Sequence, residues 1–102
     1  MTVMLVNKLI VHGDPAEFEA ISGSLTEYMC RQPGYLRFQL LRSLRQPQAY
    51  VEIAEWESAE QHRAAVTSPG FRERVQPLAA VASVEPDLYA VVREGHAAAA
   101  PA

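Results

Sequence analysis

Four segments of the chain have the pattern of hydrophobic and polar positions expected of β-strands. The first strand covers residues 3–11 and is apolar on both faces. The second and third cover 35–43 and 49–56, and the short turn between them predicts a hairpin. The fourth is predicted at 86–93, where PDLYAVVR follows a helical segment. Within 49–56, Tyr50 and Trp56 share one face of the strand.

Three capping signals divide the remaining sequence into helices. Asp14, Ser58 and Ser68 each stand immediately before a segment whose apolar residues recur every three or four positions. The side chains of Asp and Ser cap helix N-termini well, and a proline follows the first and third of them. The predicted order is therefore strand, helix, strand, strand, helix pair, strand.

This order is typical of the α+β class and predicts two interleaved βαβ halves. The expected fold is ferredoxin-like βαββαβ, a four-stranded antiparallel sheet with its helices on one face. The strands also carry large apolar side chains on the other face: Val6, Ile10, Leu41, Val51 and Ile53. Burying such a side chain stabilises by roughly 1.5–3 kcal/mol. We therefore expect a second copy to pack sheet to sheet, which gives a homodimer.

Length and composition indicate one domain, expected over residues 1–94, followed by a disordered tail at 95–102. The net charge of −3 without a basic cluster argues against nucleic acid. No apolar run reaches the ~20 residues of a membrane span, and no signal-peptide pattern opens the chain, so a cytoplasmic protein is expected. The single cysteine, the scattered histidines and the lack of a glycine-rich phosphate loop predict no metal and no conventional cofactor.

Four segments resemble the antibiotic biosynthesis monooxygenase (ABM) domains, which are dimeric α+β barrels. They are VNKLIV (6–11), PGYLRFQLLRS (33–43), EWESAEQHRAAV (55–66) and SPGFRERVQPL (68–78). The likeness spans roughly residues 3–92. The family includes cofactor-independent oxygenases that turn polycyclic phenols into quinones, haem-degrading enzymes, quinol oxygenases and members without known activity. The resemblance therefore implies the fold more directly than the reaction.

Three residues are predicted to be catalytic. Asn7 lies mid-strand among apolar residues, where its amide needs a hydrogen-bond partner. Either another part of the protein is that partner and the role is structural, or the partner is a substrate whose developing charge the amide stabilises. An asparagine at this strand position serves quinone-forming and haem-degrading relatives alike. Trp56 is either a core residue or an aromatic wall for a flat substrate, as it is in quinone-forming relatives. His62 is either a packing residue or a base for a phenolic proton, where those relatives can carry tyrosine.

Five further residues are predicted to contact the substrate. Glu52 shares the strand face of Trp56, and a carboxylate there needs a partner. Arg42 on the neighbouring strand could be that partner; otherwise Glu52 binds a substrate hydroxyl or acts as a base. The apolar walls are predicted to come from Phe38, Leu40, Tyr50 and Phe71.

The haem-degrading relatives provide a test within the sequence. They carry a second tryptophan and an iron-ligating histidine at positions that look like Ala65 and Val75 here. Valine cannot ligate iron. The leading hypothesis is therefore a cofactor-independent monooxygenase that uses O₂ to convert a polycyclic phenol or anthrone-type aromatic polyketide intermediate into a quinone. The alternatives are haem breakdown and a non-catalytic dimeric module that binds a small ligand or assists a larger synthase.

Overall fold

The computed structural model describes residues 1–99 and contains four strands and three helices in the predicted order. All neighbouring strands are antiparallel, and the sheet order is β2-β3-β1-β4. The predicted ferredoxin-like α+β fold is confirmed. The elements are β1 (Val3–Val11), α1 (Pro15–Met29), β2 (Tyr35–Arg42), β3 (Ala49–Trp56), α2 (Ala59–Val66), α3 (Pro69–Val81) and β4 (Ala82–Tyr89).

The predicted caps begin all three helices. The Asp14 carboxylate accepts a hydrogen bond from the N–H of Ala16, the first backbone N–H of α1. Ser58 Oγ accepts from the N–H of Gln61 at 3.2 Å, and Ser68 Oγ accepts from that of Phe71 at 3.3 Å. Each bond satisfies a donor that the helix itself leaves free. The caps thus fix where α2 begins after β3 and where α3 begins after α2.

The core lies between the sheet and the helices and consists of two clusters. One surrounds Phe18 and Tyr50, and the other surrounds Trp56. Phe18 and Trp56 are completely buried. Along β1 the clusters contact opposite ends of the strand, so Asn7 lies between them. The predicted inward face of the first strand is confirmed.

The last strand differs from its prediction. It runs from Ala82 to Tyr89 instead of over 86–93, because α3 ends at Val81 and passes into the strand without a turn. The sequence prediction began the strand at Pro86. Here β4 is an edge strand, where a missing N–H is tolerated in the strand interior.

A β-bulge changes which residues of β2 face the helices. Simple alternation along β2 would place Leu36 on the same face as Phe38, but the register shifts between Tyr35 and Arg37. Tyr35 therefore lies opposite Trp56 on the helix side, and Leu36 is 46% exposed. An extra residue in one strand reverses the side-chain alternation beyond it.

The second face of the sheet has no layer of residues 1–99 packed on it. Ile10 and Leu41 are 48% and 45% exposed there. Val6 of β1 and Ile53 of β3 are direct cross-strand partners on the same face. This is the apolar surface that the sequence predicted.

Beyond β4, residues 90–99 contain no helix or strand, and the rest of the predicted tail, 100–102, lies outside the described residues. None of the helices within residues 1–99 has the length and apolar character required to cross a bilayer.

Candidate active site

A cavity of about 260 Å³ lies between the sheet and the three helices. It occupies the space between the two core clusters, in the middle of β1 and β3. Most of its walls are apolar, and the polar side chains that reach it are few: Asn7, Ser22, Thr26, Tyr35, Glu52, Trp56 and His62. A concave apolar site with a few convergent polar groups is the usual form of a small-molecule pocket.

Two polar atoms of this cavity are buried without a hydrogen-bond partner. They are Oδ1 of Asn7 and Nε1 of Trp56. One is an acceptor and the other is a donor, and the Asn7 amide also carries an NH₂ group. Buried polar groups are nearly always paired, because leaving one unpaired costs roughly 1–3 kcal/mol. An unpaired amide and an unpaired indole on one cavity are therefore complementary to a ligand with polar groups.

The indole of Trp56 packs between two other rings. The Tyr35 ring meets it edge-on with centroids 4.9 Å apart, and the His62 ring does so at 5.3 Å. His62 therefore points inward, which its helix pattern alone did not determine. Burial lowers the pKa of His62, so its imidazole is neutral near pH 7. Burial, reinforced by the nearby charge of Glu52, raises the pKa of Tyr35, which keeps its phenol protonated.

Glu52 lies on the cavity side of β3, directly opposite Asn7 of β1. Burial raises the pKa of its carboxyl, and a hydrogen-bonding contact with Thr26 partly offsets that rise. The suggested partner Arg42 does not pair with it. The Arg42 guanidinium instead donates to the backbone oxygen of Pro47 at 2.9 Å. Glu52 is thus a carboxyl in an apolar cavity without a cation beside it.

The predicted apolar walls are only partly brought together. Leu40 and Phe71 line the cavity. Phe38 does not; it is 41% exposed and lies in an adjoining groove. Tyr50 is also absent from the cavity wall, because it packs on Phe18 in the neighbouring core cluster with centroids 4.7 Å apart.

Sequence reasoning missed Tyr35 and the α1 residues that border the cavity. The predicted apolar stripe of α1 runs through Ile21 and Leu25, but Ser22 and Thr26 are the more deeply buried residues. They share a face because they are four positions apart. Two hydroxyl residues at that spacing, opposite a strand that carries Glu52, are the signal that could have identified them.

A second, more open groove of about 340 Å³ lies between α1 and β2. It shares Ser22, Thr26 and Leu40 with the cavity, so the two spaces adjoin. The groove lies beside an edge strand of the sheet. It therefore offers a route by which a small molecule could reach the cavity.

The residues at the positions expected for haem binding do not provide an iron ligand. Val75 lines the cavity, and Ala65 is buried behind it in the core. Within residues 1–99 no group of three or more His, Cys, Asp or Glu side chains is arranged to hold a metal ion.

Comparison with known proteins shows relatives of the same fold and size. The chain is 38% identical over 87 residues to a deoxynogalonate monooxygenase of Streptomyces nogalater, covering 85% of this chain and 74% of that one. The crystal structure of SnoaB, a cofactor-independent oxygenase from Streptomyces nogalater, superimposes with a TM-score of 0.89 at 35% identity, covering 91% of this chain and 95% of that one.

A conserved protein from Methanosarcina mazei shares the fold, with a TM-score of 0.77 at 21% identity over 87% of this chain and 91% of that one. The family model for antibiotic biosynthesis monooxygenases matches residues 2–76. With the fold, the cavity and these relatives in agreement, the chain belongs to the antibiotic biosynthesis monooxygenase family.

Proposed function

We propose that this protein is a cofactor-independent monooxygenase that oxidises a polycyclic phenol or anthrone-type aromatic polyketide intermediate to a quinone with O₂. Its similarity to a deoxynogalonate monooxygenase and to a cofactor-independent oxygenase supports this reaction class. The observation that carries the proposal is the apolar cavity with an unpaired amide and an unpaired indole. Flat fused rings with ketone and phenol groups match both properties.

Such a substrate can react with O₂ without a redox cofactor, because its conjugate base is a reductant. Loss of a proton gives a carbanion or phenolate, which transfers one electron to O₂. The two radicals recombine to a peroxide, and loss of water from the peroxide leaves the quinone carbonyl. The protein then has to remove a proton, stabilise the anion and keep water out.

Asn7 and Trp56 are suited to stabilise the anion. The indole N–H of Trp56 is buried and unpaired, so a substrate oxygen that accepts from it replaces no protein hydrogen bond. The NH₂ group of the Asn7 amide is a second donor, while its unpaired Oδ1 can accept from a substrate hydroxyl. A donor held in place before charge develops stabilises a transition state more than one that must reorient. The Trp56 indole also offers its surface to the rings, and its position is fixed by Tyr35 and His62.

His62 is proposed to exchange the proton of a phenolic hydroxyl. Its imidazole lies in the cavity wall, and its lowered pKa favours the neutral form that accepts a proton. Leu40 and Phe71 provide apolar walls, while Phe38 and the groove between α1 and β2 lie on the proposed route of entry.

The uncovered sheet face supports a homodimer. The outward face of the central strands carries the apolar side chains of Val6, Ile10 and Ile53, and a second copy with the same surface would bury them. A cytoplasmic location stays a prediction from the sequence.

The test is incubation of the purified protein with dithranol under air, with quinone formation followed by absorbance. A rate well above that of buffer, with one O₂ consumed per quinone and one ¹⁸O atom from ¹⁸O₂ in the product, is expected. Heat-denatured protein serves as the control for spontaneous oxidation.

The alternatives give different results. A flat trace with several anthrones, together with quenching of the Trp56 fluorescence by an anthraquinone, would replace the enzyme with a ligand-binding module. A Soret shift on titration with haem would support haem breakdown instead.

A further inference from the structure

The carboxyl of Glu52 has the surroundings of a proton acceptor. It lies in the middle of the sheet, with Asn7 opposite it on one neighbouring strand and Leu40 on the other. Both ion pairs found within residues 1–99 lie elsewhere, so no cation neutralises it. A buried carboxylate without a cation is unfavourable, and such groups are kept mainly where chemistry needs them. Glu52 lines the same cavity as the unpaired Oδ1 of Asn7 and Nε1 of Trp56, and is not packed in the core.

The groups around Glu52 leave its carboxyl available. Glu52 contacts Thr26 of α1. The other titratable residues that line the cavity are the neutral His62 of α2 and the protonated Tyr35 of β2. The cavity-lining residues of α3 and β4 are apolar. The charged side chains of the adjoining groove, Glu19 and Glu27, do not line the cavity, and the Arg42 guanidinium packs over the Tyr50 ring. The site thus favours an uncharged substrate over an anion.

We propose that Glu52 is the catalytic residue that removes the first C–H proton from an uncharged anthrone-type substrate. This inference rests on the proposed function and assigns its first step. His62, near Trp56 at the end of β3, keeps its proposed role of exchanging the proton of the phenolic hydroxyl. Glu52 and Trp56 are four positions apart on β3, about 13 Å of backbone, so Glu52 and the His62 beside Trp56 serve different parts of one flat molecule.

The step balances without another reactant. The C–H electron pair stays on the substrate as an enolate, and the proton goes to the Glu52 carboxylate. The enolate reduces O₂ by one electron, the radicals form a C–O bond, and Glu52 returns its proton to the outer peroxide oxygen. The regenerated carboxylate takes the second hydrogen of that carbon as a proton, the O–O bond breaks, and the departing hydroxide receives the proton. The sum is R₂CH₂ + O₂ → R₂C=O + H₂O.

The first test is the pH dependence of dithranol oxidation by Glu52→Gln. At pH 7 the rate should fall by about 10²–10⁴-fold, the usual contribution of a positioned base. The rate should recover as the pH is raised until dithranol ionises in solution, because the ionised substrate needs no base. Glu57→Gln is the matched control, since Glu57 is an exposed carboxylate just beyond β3 that lies outside the cavity. It should follow the wild-type profile.

A second variant separates proton transfer from a structural role. Glu52→Ala leaves space for a small carboxylic acid, so added formate should restore part of the lost rate at pH 7. Thermal melting and quenching of Trp56 fluorescence by anthraquinone show whether either variant still folds and binds. A wild-type rate in Glu52→Gln at pH 7, or an equal loss at every pH without rescue by formate, would overturn the assignment. An inactive wild-type protein would instead defeat the proposed function, and this inference with it.

Discussion

The imidazole of His62 meets the indole of Trp56 edge to face, with ring centroids 5.3 Å apart and planes at 84°. They are six positions apart in the sequence, and the Ser58 cap lies between them. Because Ser58 starts α2 immediately after β3, the first turn of the helix turns His62 back over the end of the strand. A single strand-to-helix junction thus positions an aromatic wall and a titratable group together.

Replacing Trp56 by phenylalanine should lower the rate of anthrone oxidation by about tenfold, since one hydrogen bond to the developing anion is lost. The protein should still fold, although shrinking a completely buried side chain costs about 1–2 kcal/mol. Initial rates of quinone formation and thermal melts measure the two effects. Phe18→Leu is the control, because Phe18 is equally buried but belongs to the other core cluster. If both variants lose the same activity, the indole has no specific role.

Asn7 offers a test in which stability and activity move in opposite directions. Its Oδ1 is buried and unpaired, so Asn7→Leu should raise the free energy of unfolding by about 1 kcal/mol. The same change should lower turnover by about 10²-fold, because the amide that meets the substrate is gone. Asn7→Ala should lower turnover similarly without unfolding the protein. Urea denaturation and initial rates check both. A loss of stability in Asn7→Leu would mean that the amide is structurally satisfied.

The sequence predicted the fold and the inward strand faces because these depend on local signals: strand alternation, helix caps and apolar periodicity. It also predicted that Asn7, Glu52 and Trp56 share one face of the sheet. It could not predict the bulge that brings Tyr35 beside Trp56, because the bulge depends on pairing between distant strands. It placed Tyr50 in the site on strand alternation alone, and an aromatic partner on another element decided otherwise.

The position of the α1 residues shows the same limit. A helix with apolar residues over a broad face can rotate by one position and still bury its apolar residues. Tertiary packing then decides which row of side chains is buried most deeply. Here that row includes Ser22 and Thr26, which adjoin both the cavity and the outer groove. The last strand was likewise predicted at 86–93, four positions beyond the start at Ala82 that pairing with β1 defines.

His62 should make the protein more sensitive to acid. Burial lowers its pKa in the folded state below the ordinary 6.5, so the unfolded chain binds the proton more readily. The associated stability is present above pH 6.5 and is lost as the pH falls through the lowered pKa. Melting curves between pH 8 and pH 5 should therefore fall less steeply for His62→Gln than for wild type. His96→Gln, in the exposed segment after β4, should match wild type.

Glu52 should have the opposite dependence. Its folded-state pKa is raised, so the folded protein holds the proton more tightly than the unfolded chain. Its stabilising effect is present below the ordinary pKa of 4.5 and is lost as the pH rises through the raised value. Glu52→Gln should therefore melt a few degrees higher than wild type at pH 8 and at nearly the same temperature at pH 4. A variant that melts lower at pH 8 would indicate that the carboxylate is stabilised by a partner.

The outward sheet face gives the prediction on assembly. Ile53 lies at the centre of that face, opposite Val6, and a glutamate there would bury a charge at a sheet-to-sheet contact. Ile53→Glu should weaken the dimer by 10²-fold or more, about 3 kcal/mol at the usual conversion, and sedimentation velocity at micromolar concentration should then show a monomer where wild type shows a dimer. Gln76→Glu adds the same charge on the exposed side of α3, away from the sheet, and should stay dimeric. A wild-type protein that sediments as a monomer at this concentration would remove the dimer from the proposal, and the apolar face would need another partner.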